Sequence, residues 1–369
     1  MSPRMARRLV IVKIGTSSLT DARGVIDRSM IRSICTQIAG LRASGDDVVL
    51  VTSAAVSAGV SALGLPERPA DMRTLQALAA VGQSRLMEVY NAEFAALGIV
   101  AAQVLLVPHD FVDRRQYLHA RETLERLLEL GCVPVVNEND AIANDEIRFG
   151  DNDRIAALLS HLLRAEVLVL LTDTDGLYTS DPRRDPDARL VDDVRPGDPL
   201  MSVAAGESSS NRGSGGMASK LSAARIAAWS GTRAVIARAD AESVVARAVA
   251  GERVGTTFHG ADRNLSSRQL WIAYASEIRG RVTVDAGAAS ALARGTVSLL
   301  PAGLLRVEGD FEAGDTIDVV DPAGSVVARG LAVMSAEQAS AARGRRSADL
   351  ADGGPTVVVH RDGLVLLEG

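Results

Sequence analysis

The residues of this sequence best suited to chemistry are its two lysines. Forty residues are basic and thirty-eight of them are arginine; Lys13 and Lys220 stand alone, each beside glycine-rich backbone. Arginine presents a planar fork, whereas a lysine ammonium is a compact point charge that contacts one phosphoryl oxygen among crowded neighbours. Lys13 lies near the end of the apolar run Leu9-Val10-Ile11-Val12-Lys13-Ile14, which opens into Gly15-Thr16-Ser17-Ser18. That pattern is a buried strand delivering one cation to a small turn. Lys220 closes Gly213-Ser214-Gly215-Gly216-Met217-Ala218-Ser219-Lys220, and small and apolar residues follow it to Trp229. Glycines let backbone approach a phosphate, a helix start supplies N–H donors, and the lysine supplies charge. The spacing is not the Walker pattern, and a flexible loop leading into a helix fits the same residues.

Polar clusters form a second group. The apolar run Val133-Pro134-Val135-Val136 ends in Asn137-Glu138-Asn139-Asp140, and Gly150-Asp151-Asn152-Asp153 opens a helix expected over 154–163. Helix capping accounts for Asp151 or Asn152 but not for the whole set. An acidic wall of this kind suits an ammonium group, either of an amino acid or of the two lysines. Ser53 follows the buried strand Val48-Val49-Leu50-Val51-Thr52. It is placed to contact a carboxylate at the carboxyl edge of a sheet, and equally to cap the helix that starts after it. The most apolar strand, 166–172, runs into Asp173-Thr174-Asp175-Gly176-Leu177-Tyr178, whose turn residues can accept hydrogen bonds from the hydroxyls or amines of a nucleotide.

The elements that must position these groups alternate in type. From about residue 10 to 250, short apolar runs alternate with helical periodicities expected over 26–42, 71–97 and 114–130, and a further strand is expected over 99–107. This is an α/β sheet with crossover helices. Residues 251–270 lose periodicity. Beyond them short strands are expected over 281–284, 297–300, 316–320, 326–329 and 356–359, a small β-rich barrel or sandwich.

Composition narrows the function classes. No apolar run approaches the ~20 residues of a membrane span and no signal-peptide core precedes the first strand, so a cytoplasmic protein is expected. Cys35 and Cys132 lack metal or disulfide spacing, and the five histidines form no ligand pattern, so no metal site is expected. A net charge of −6 argues against a general nucleic-acid binder.

In combination and order, the segments 12–17, 51–53, 136–140, 149–153, 171–173 and 215–220 resemble the amino acid kinase family, and within it the glutamate 5-kinases, over essentially the whole chain. The segments 283–288 and 298–303 are similar to the PUA domain appended to bacterial members. The resemblance implies an αβα sandwich around a mainly parallel sheet over residues 1–255, a linker over 256–275 and a PUA-type domain over 276–369, assembled as a dimer or tetramer. It implies phosphorylation of the side-chain carboxylate of L-glutamate by ATP, giving L-glutamyl 5-phosphate, the first step of proline synthesis. Lys13 and Lys220 would hold the transferring phosphoryl group, and Asp153 would hold the lysines. Ser53, Asp140 and Asn152 would contact glutamate. Lys13, Thr172, Asp173, Ser214, Gly215, Gly216, Met217, Ala218, Ser219 and Lys220 would contact ATP, with Mg2+ carried on its phosphates. The family commonly has glycine after the serine of the second strand. Here Ala54 stands there, and at a position of positive φ its methyl would weaken or retune glutamate binding. The rivals are a kinase of another carboxylate or carbamate, and a non-catalytic amino-acid sensor or RNA binder. Residues 276–369 carry nine arginines against thirteen acids and no lysine, which disfavours RNA binding there, although Arg343, Arg345 and Arg346 leave a basic face possible.

Overall fold

The computed structural model describes residues 7–21, 23–111, 114–142, 152–182, 184–196, 198–202, 216–261, 269, 272–273, 278–294, 297–345 and 355–367. The chain divides into two compact units, Met1–Pro196 with Glu207–Asn264 and Gly197–Gly206 with Leu265–Gly369. Among the described residues the first unit builds one eight-stranded sheet from β1 (Leu9–Ile14), β2 (Asp47–Val51), β3 (Ala101–Leu106), β4 (Val133–Glu138), β5 (Val167–Thr172), β6 (Asp193–Val194), β7 (Arg233–Arg238) and β8 (Gly255–Phe258). Their order is β3-β4-β2-β1-β5-β7-β8-β6, and each pairing is parallel except β7 with β8. Strands of a parallel sheet are covered on both faces, which is why β1, β2 and β5 read as continuous apolar runs. β1 lies between β2 and β5 with Lys13 level with Val51 and Leu170, so the lysine leaves the sheet at its carboxyl edge.

Helices cover the sheet. They are α1 (Thr16–Leu19), α2 (Arg28–Ala43), α3 (Ala55–Ala62), α4 (Met72–Ala95), α5 (Arg114–Glu129), α6 (Asn152–Leu162), α8 (Met217–Trp229) and α9 (Val244–Ala250), while the short α7 (Pro199–Ser202) groups with the second unit. α2 starts where the Asp27 carboxylate accepts the N–H groups of Ser29 and Met30. Its Ile31, Ile34, Ile38 and Leu41 share one face and enter the core with Leu86, Tyr90 and Phe94 of α4. Asp71 caps α4 through the Thr74 N–H. Two glycines let α3 and α4 approach closely. A Cβ at Gly59 would collide with the Leu78 carbonyl, and one at Gly82 with the Ala55 carbonyl.

In the second unit, β9 (Ile278–Val284), β10 (Leu304–Gly309), β11 (Thr316–Val320), β12 (Val326–Ala332) and β13 (Val359–Leu366) form a five-stranded sheet in the order β10-β9-β11-β12-β13. Its core is formed by Val282, Val284, Phe311, Ile317 and Val319 with their neighbours. Two expected strands are corrected. Residues 297–300 make only a bridge between Leu299 and Val359, and the last strand starts at Val359 instead of 356. β10 escapes the period-two pattern because Leu305 and Arg306 are both exposed.

The α3–α4 contact leaves no room for a methyl group. Gly82→Ala is expected to lower the unfolding free energy by about 2–3 kcal/mol, the scale of overpacking in a tight contact, as measured by chemical denaturation. Wild-type stability in that variant would mean that the two helices can part without cost.

Candidate active site

Lys13, Asp153 and Lys220 come from opposite ends of the first unit and meet in its interior. The Lys13 ammonium lies 2.6 Å from Asp153 Oδ1, and the Lys220 ammonium donates to Asp153 Oδ2 at 3.1 Å. Lys13 is 3 % exposed, Asp153 0 % and Lys220 4 %, so the group is screened little by solvent. Burial works to raise the Asp153 carboxyl, but the charges and hydrogen bonds of the two lysines outweigh it and hold the group below the usual carboxylate range. Asp153 is therefore an anion that ties two ammonium groups together. Counting these three side chains alone, two cations and one anion leave one net positive charge.

The backbone explains how they meet. Asp153 lies in the first turn of α6, and α6 packs on both β1 and α8. Lys220 lies in the first turn of α8, after Gly216, which has no side chain to cap the helix. A Cβ at Gly15 would stand 3.6 Å from the Lys13 ammonium. The missing side chain thus leaves a small space next to the charge, of the kind a phosphoryl oxygen needs.

A second polar chain starts from Ser53. Asn152 donates through Nδ2 to Ser53 Oγ at 3.2 Å and accepts the Glu138 N–H on Oδ1 at 2.9 Å. Asn152 therefore lies inside α6 and ties the ends of β2 and β4 together instead of capping the helix, because both of its amide atoms are already engaged. β4 extends through Asn137 and Glu138, so the polar cluster expected beyond the strand begins within it. Asp140 is 7 % exposed, its Oδ1 has no hydrogen-bond partner among the described residues, and burial pushes its carboxyl up to about 6 against the opposing charge of Arg68. Across the sheet Thr172 ends β5, and its hydroxyl donates to Asp173 at 3.1 Å. Gly216, Met217, Ala218 and Ser219 open α8. Ser214, Gly215 and Asp151 lie outside the described residues.

The description "Amino acid kinase family" belongs to the model that matches residues 8–238, and a PUA domain model matches 280–353. A glutamate 5-kinase of Ralstonia nicotianae is 46 % identical over 366 residues, covering 98 % of each chain. A glutamate 5-kinase of Frankia casuarinae is 47 % identical over 365 residues, 98 % of this chain and 97 % of that one. The chain belongs to the amino acid kinase family. The solved structure of a carbamate kinase from Giardia lamblia bound to AMP-PNP has a similar fold, with TM-score 0.50 and 17 % identity, covering 69 % of this chain and 99 % of that one.

Within this amino acid kinase fold, Ala54 does adopt the left-handed conformation, with φ 84° and ψ 8°. Its methyl, however, joins the core cluster that contains Leu86, Met87 and Tyr90. The positive φ is thus as expected, and the extra carbon is buried with the core. Two participants were not singled out from sequence. Tyr90 and Thr52 hydrogen-bond each other at 2.9 Å beneath the Ser53 turn, and Gln83 accepts from Asn137 at 2.8 Å. Their signal is a polar residue on the apolar face of α4, visible only once the face is known.

Ala54→Gly relieves ~1–2 kcal/mol of left-handed strain and exposes a site that lost ~0.8 kcal/mol of methyl burial. These terms nearly cancel, so unfolding free energy within about 1 kcal/mol of wild type and an unchanged acceptor KM are expected. An acceptor KM shifted tenfold or more would place the methyl in the binding pocket after all.

Proposed function

We propose that the chain transfers the γ-phosphoryl group of ATP to the side-chain carboxylate of L-glutamate, forming ADP and L-glutamyl 5-phosphate, as the first step of proline synthesis in the cytoplasm. The observation that carries the phosphoryl-transfer half is the buried Lys13–Asp153–Lys220 group at the carboxyl edge of the sheet. The choice of acceptor is supported by the near-full-length similarity to proteins named glutamate 5-kinase. The first unit, which takes in β8 and so runs past residue 255, would carry the catalysis, and 276–369 would form an appended PUA-type domain. The working form would be a homo-oligomer.

A carboxylate with a reference pKa of ~4.3 is ionised at neutral pH, so its attack on phosphorus needs no general base. What it needs is cancellation of repulsion between two anions and an in-line approach. Lys13 and Lys220 supply the charge, from a site with little water, where fixed cations act most strongly on a developing anion. Asp153 holds both ammonium groups and, being completely buried, does not itself face the substrate. The space beside Gly15 and the uncapped start of α8 suit the nucleotide's phosphates, with Thr172 and Asp173 on the nucleoside side. Magnesium would enter on the phosphate oxygens and neutralise part of their charge. Ser53 and Asn152 would receive the acceptor's carboxylate end, and Asp140 its ammonium.

Incubation with Mg-ATP and a panel of carboxylic acids, with hydroxylamine to trap acyl phosphate, tests the assignment. Hydroxamate from L-glutamate is expected; none from glutamate with a clear signal from another acid would overturn it. Lys220→Arg should lower kcat by more than about tenfold, above ~1.4 kcal/mol of transition-state stabilisation, since a fork cannot replace a point charge on the same Asp153 oxygen. Wild-type turnover would remove Lys220 from the mechanism.

Asp140 makes the acceptor step pH-dependent. It binds an ammonium only when ionised, so above about 6 it is competent and below that it is progressively protonated. The acceptor KM should rise as pH falls through that value, approaching about tenfold per pH unit, while Asp140→Asn should show a high KM with no such slope. An acceptor KM flat from pH 7 to 5 would exclude this role.

A further inference from the structure

Beneath the Ser53–Asn152–Glu138 chain lies a polar pair that the reaction does not require on its face. Asn137 Nδ2 donates to Gln83 Oε1 at 2.8 Å, with Asn137 completely buried and Gln83 8 % exposed. Among the described residues, the other halves of both amides, Asn137 Oδ1 and Gln83 Nε2, have no hydrogen-bond partner. Burying two half-satisfied amides opposes folding, and an apolar pair of the same volume would avoid that penalty. Polar groups held at such a cost cluster where geometry matters.

The surroundings identify the geometry that is being held. Asn137 is followed by Glu138, whose N–H is bound by Asn152, which in turn donates to Ser53. Gln83 follows Gly82, where the backbone of α4 presses against the Ala55 carbonyl, two residues after Ser53. Gln83 is therefore anchored against the β2–α3 turn on one side and against the end of β4 on the other. Both ends carry residues placed at the acceptor.

We infer that Gln83 is a positioning residue of the acceptor pocket: through its hydrogen bond to Asn137 it sets the end of β4, from Glu138 to Asp140, relative to the Ser53 turn. It acts on how the acceptor is held, and leaves nucleotide binding to the other half of the site. The inference rests on the proposed carboxylate kinase activity. It concerns whichever acid the wild-type protein phosphorylates, so the hydroxamate panel on the wild type comes first and its outcome stands apart from that of the variants.

Two substitutions separate the hydrogen bond from the volume. Gln83→Met keeps the side chain's size and removes the acceptor atom for Asn137. Gln83→Glu keeps size and acceptor. Steady-state kinetics with the acid that the wild type accepts should show a KM for that acid raised about tenfold or more in Gln83→Met, equal to ~1.4 kcal/mol of binding, with the ATP KM and kcat within about threefold of wild type. Gln83→Glu should restore the acceptor KM to within about threefold. A thermal melt of each variant confirms that folded protein is being compared. An unchanged acceptor KM in Gln83→Met, or equal rises in both KM values, would overturn the inference. So would a Gln83→Glu variant as impaired as Gln83→Met.

Discussion

The interaction on which the rest of this structure depends is the pairing of one buried carboxylate with two buried ammonium groups. Each charge taken out of water costs several kcal/mol, and the cost is recovered only where geometry and partners are good. Asp153 is completely buried and lies within 3.1 Å of both lysines, so neither ammonium is left without an opposite charge. The surplus is one positive charge in a place where field lines are weakly screened. A site of that kind attracts an anion and is unfavourable for a second cation.

Holding that group in place requires the fold around it. Lys13 is fixed by the register of β1 between β2 and β5, and Asp153 and Lys220 by the first turns of two helices that pack on each other. The same carboxyl edge receives the ends of β2, β4 and β5, and with them Ser53, Asp140 and Thr172. Two halves result: a cationic half around the lysines and an amide-and-acid half around Asn152 and Asp140. Asn152 and Asp153 are consecutive in α6, so a single helical turn serves both halves. A displacement of α6 would therefore disturb acceptor and phosphoryl contacts together.

Much of this was legible in the sequence, for a physical reason in each case. Central parallel strands are buried on both faces and so appear as unbroken apolar runs, which located β1, β2 and β5. The two lysines stood out because the other cations are arginine. What pattern could not reach was contact across the fold. Asn152 looks like a capping residue until its two amide atoms are found on Ser53 and the Glu138 backbone. Gln83 sits among apolar residues of α4, and only the approach through Gly82 reveals what it faces. Ala54 shows a different limit. Its left-handed backbone follows from the turn after β2, but its burial in one cluster with Leu86 and Tyr90 of α4 needed the packing of the fold to be known. In the second unit β10 was missed because exposed residues break the alternation, as at Leu305.

The central claim is that both lysines act on the nucleotide's transferring phosphoryl group while tied to Asp153, and the composition of the chain makes it directly testable. With only two lysines in the sequence, protein labelled with 15N and 13C in lysine yields two side-chain ammonium signals. Both are expected to exchange slowly with water, as buried ion-paired ammonium groups do, and both should shift when Mg2+ and a non-hydrolysable ATP analogue are added. A nucleotide that moves one signal and leaves the other unchanged, or moves neither, would contradict a shared role.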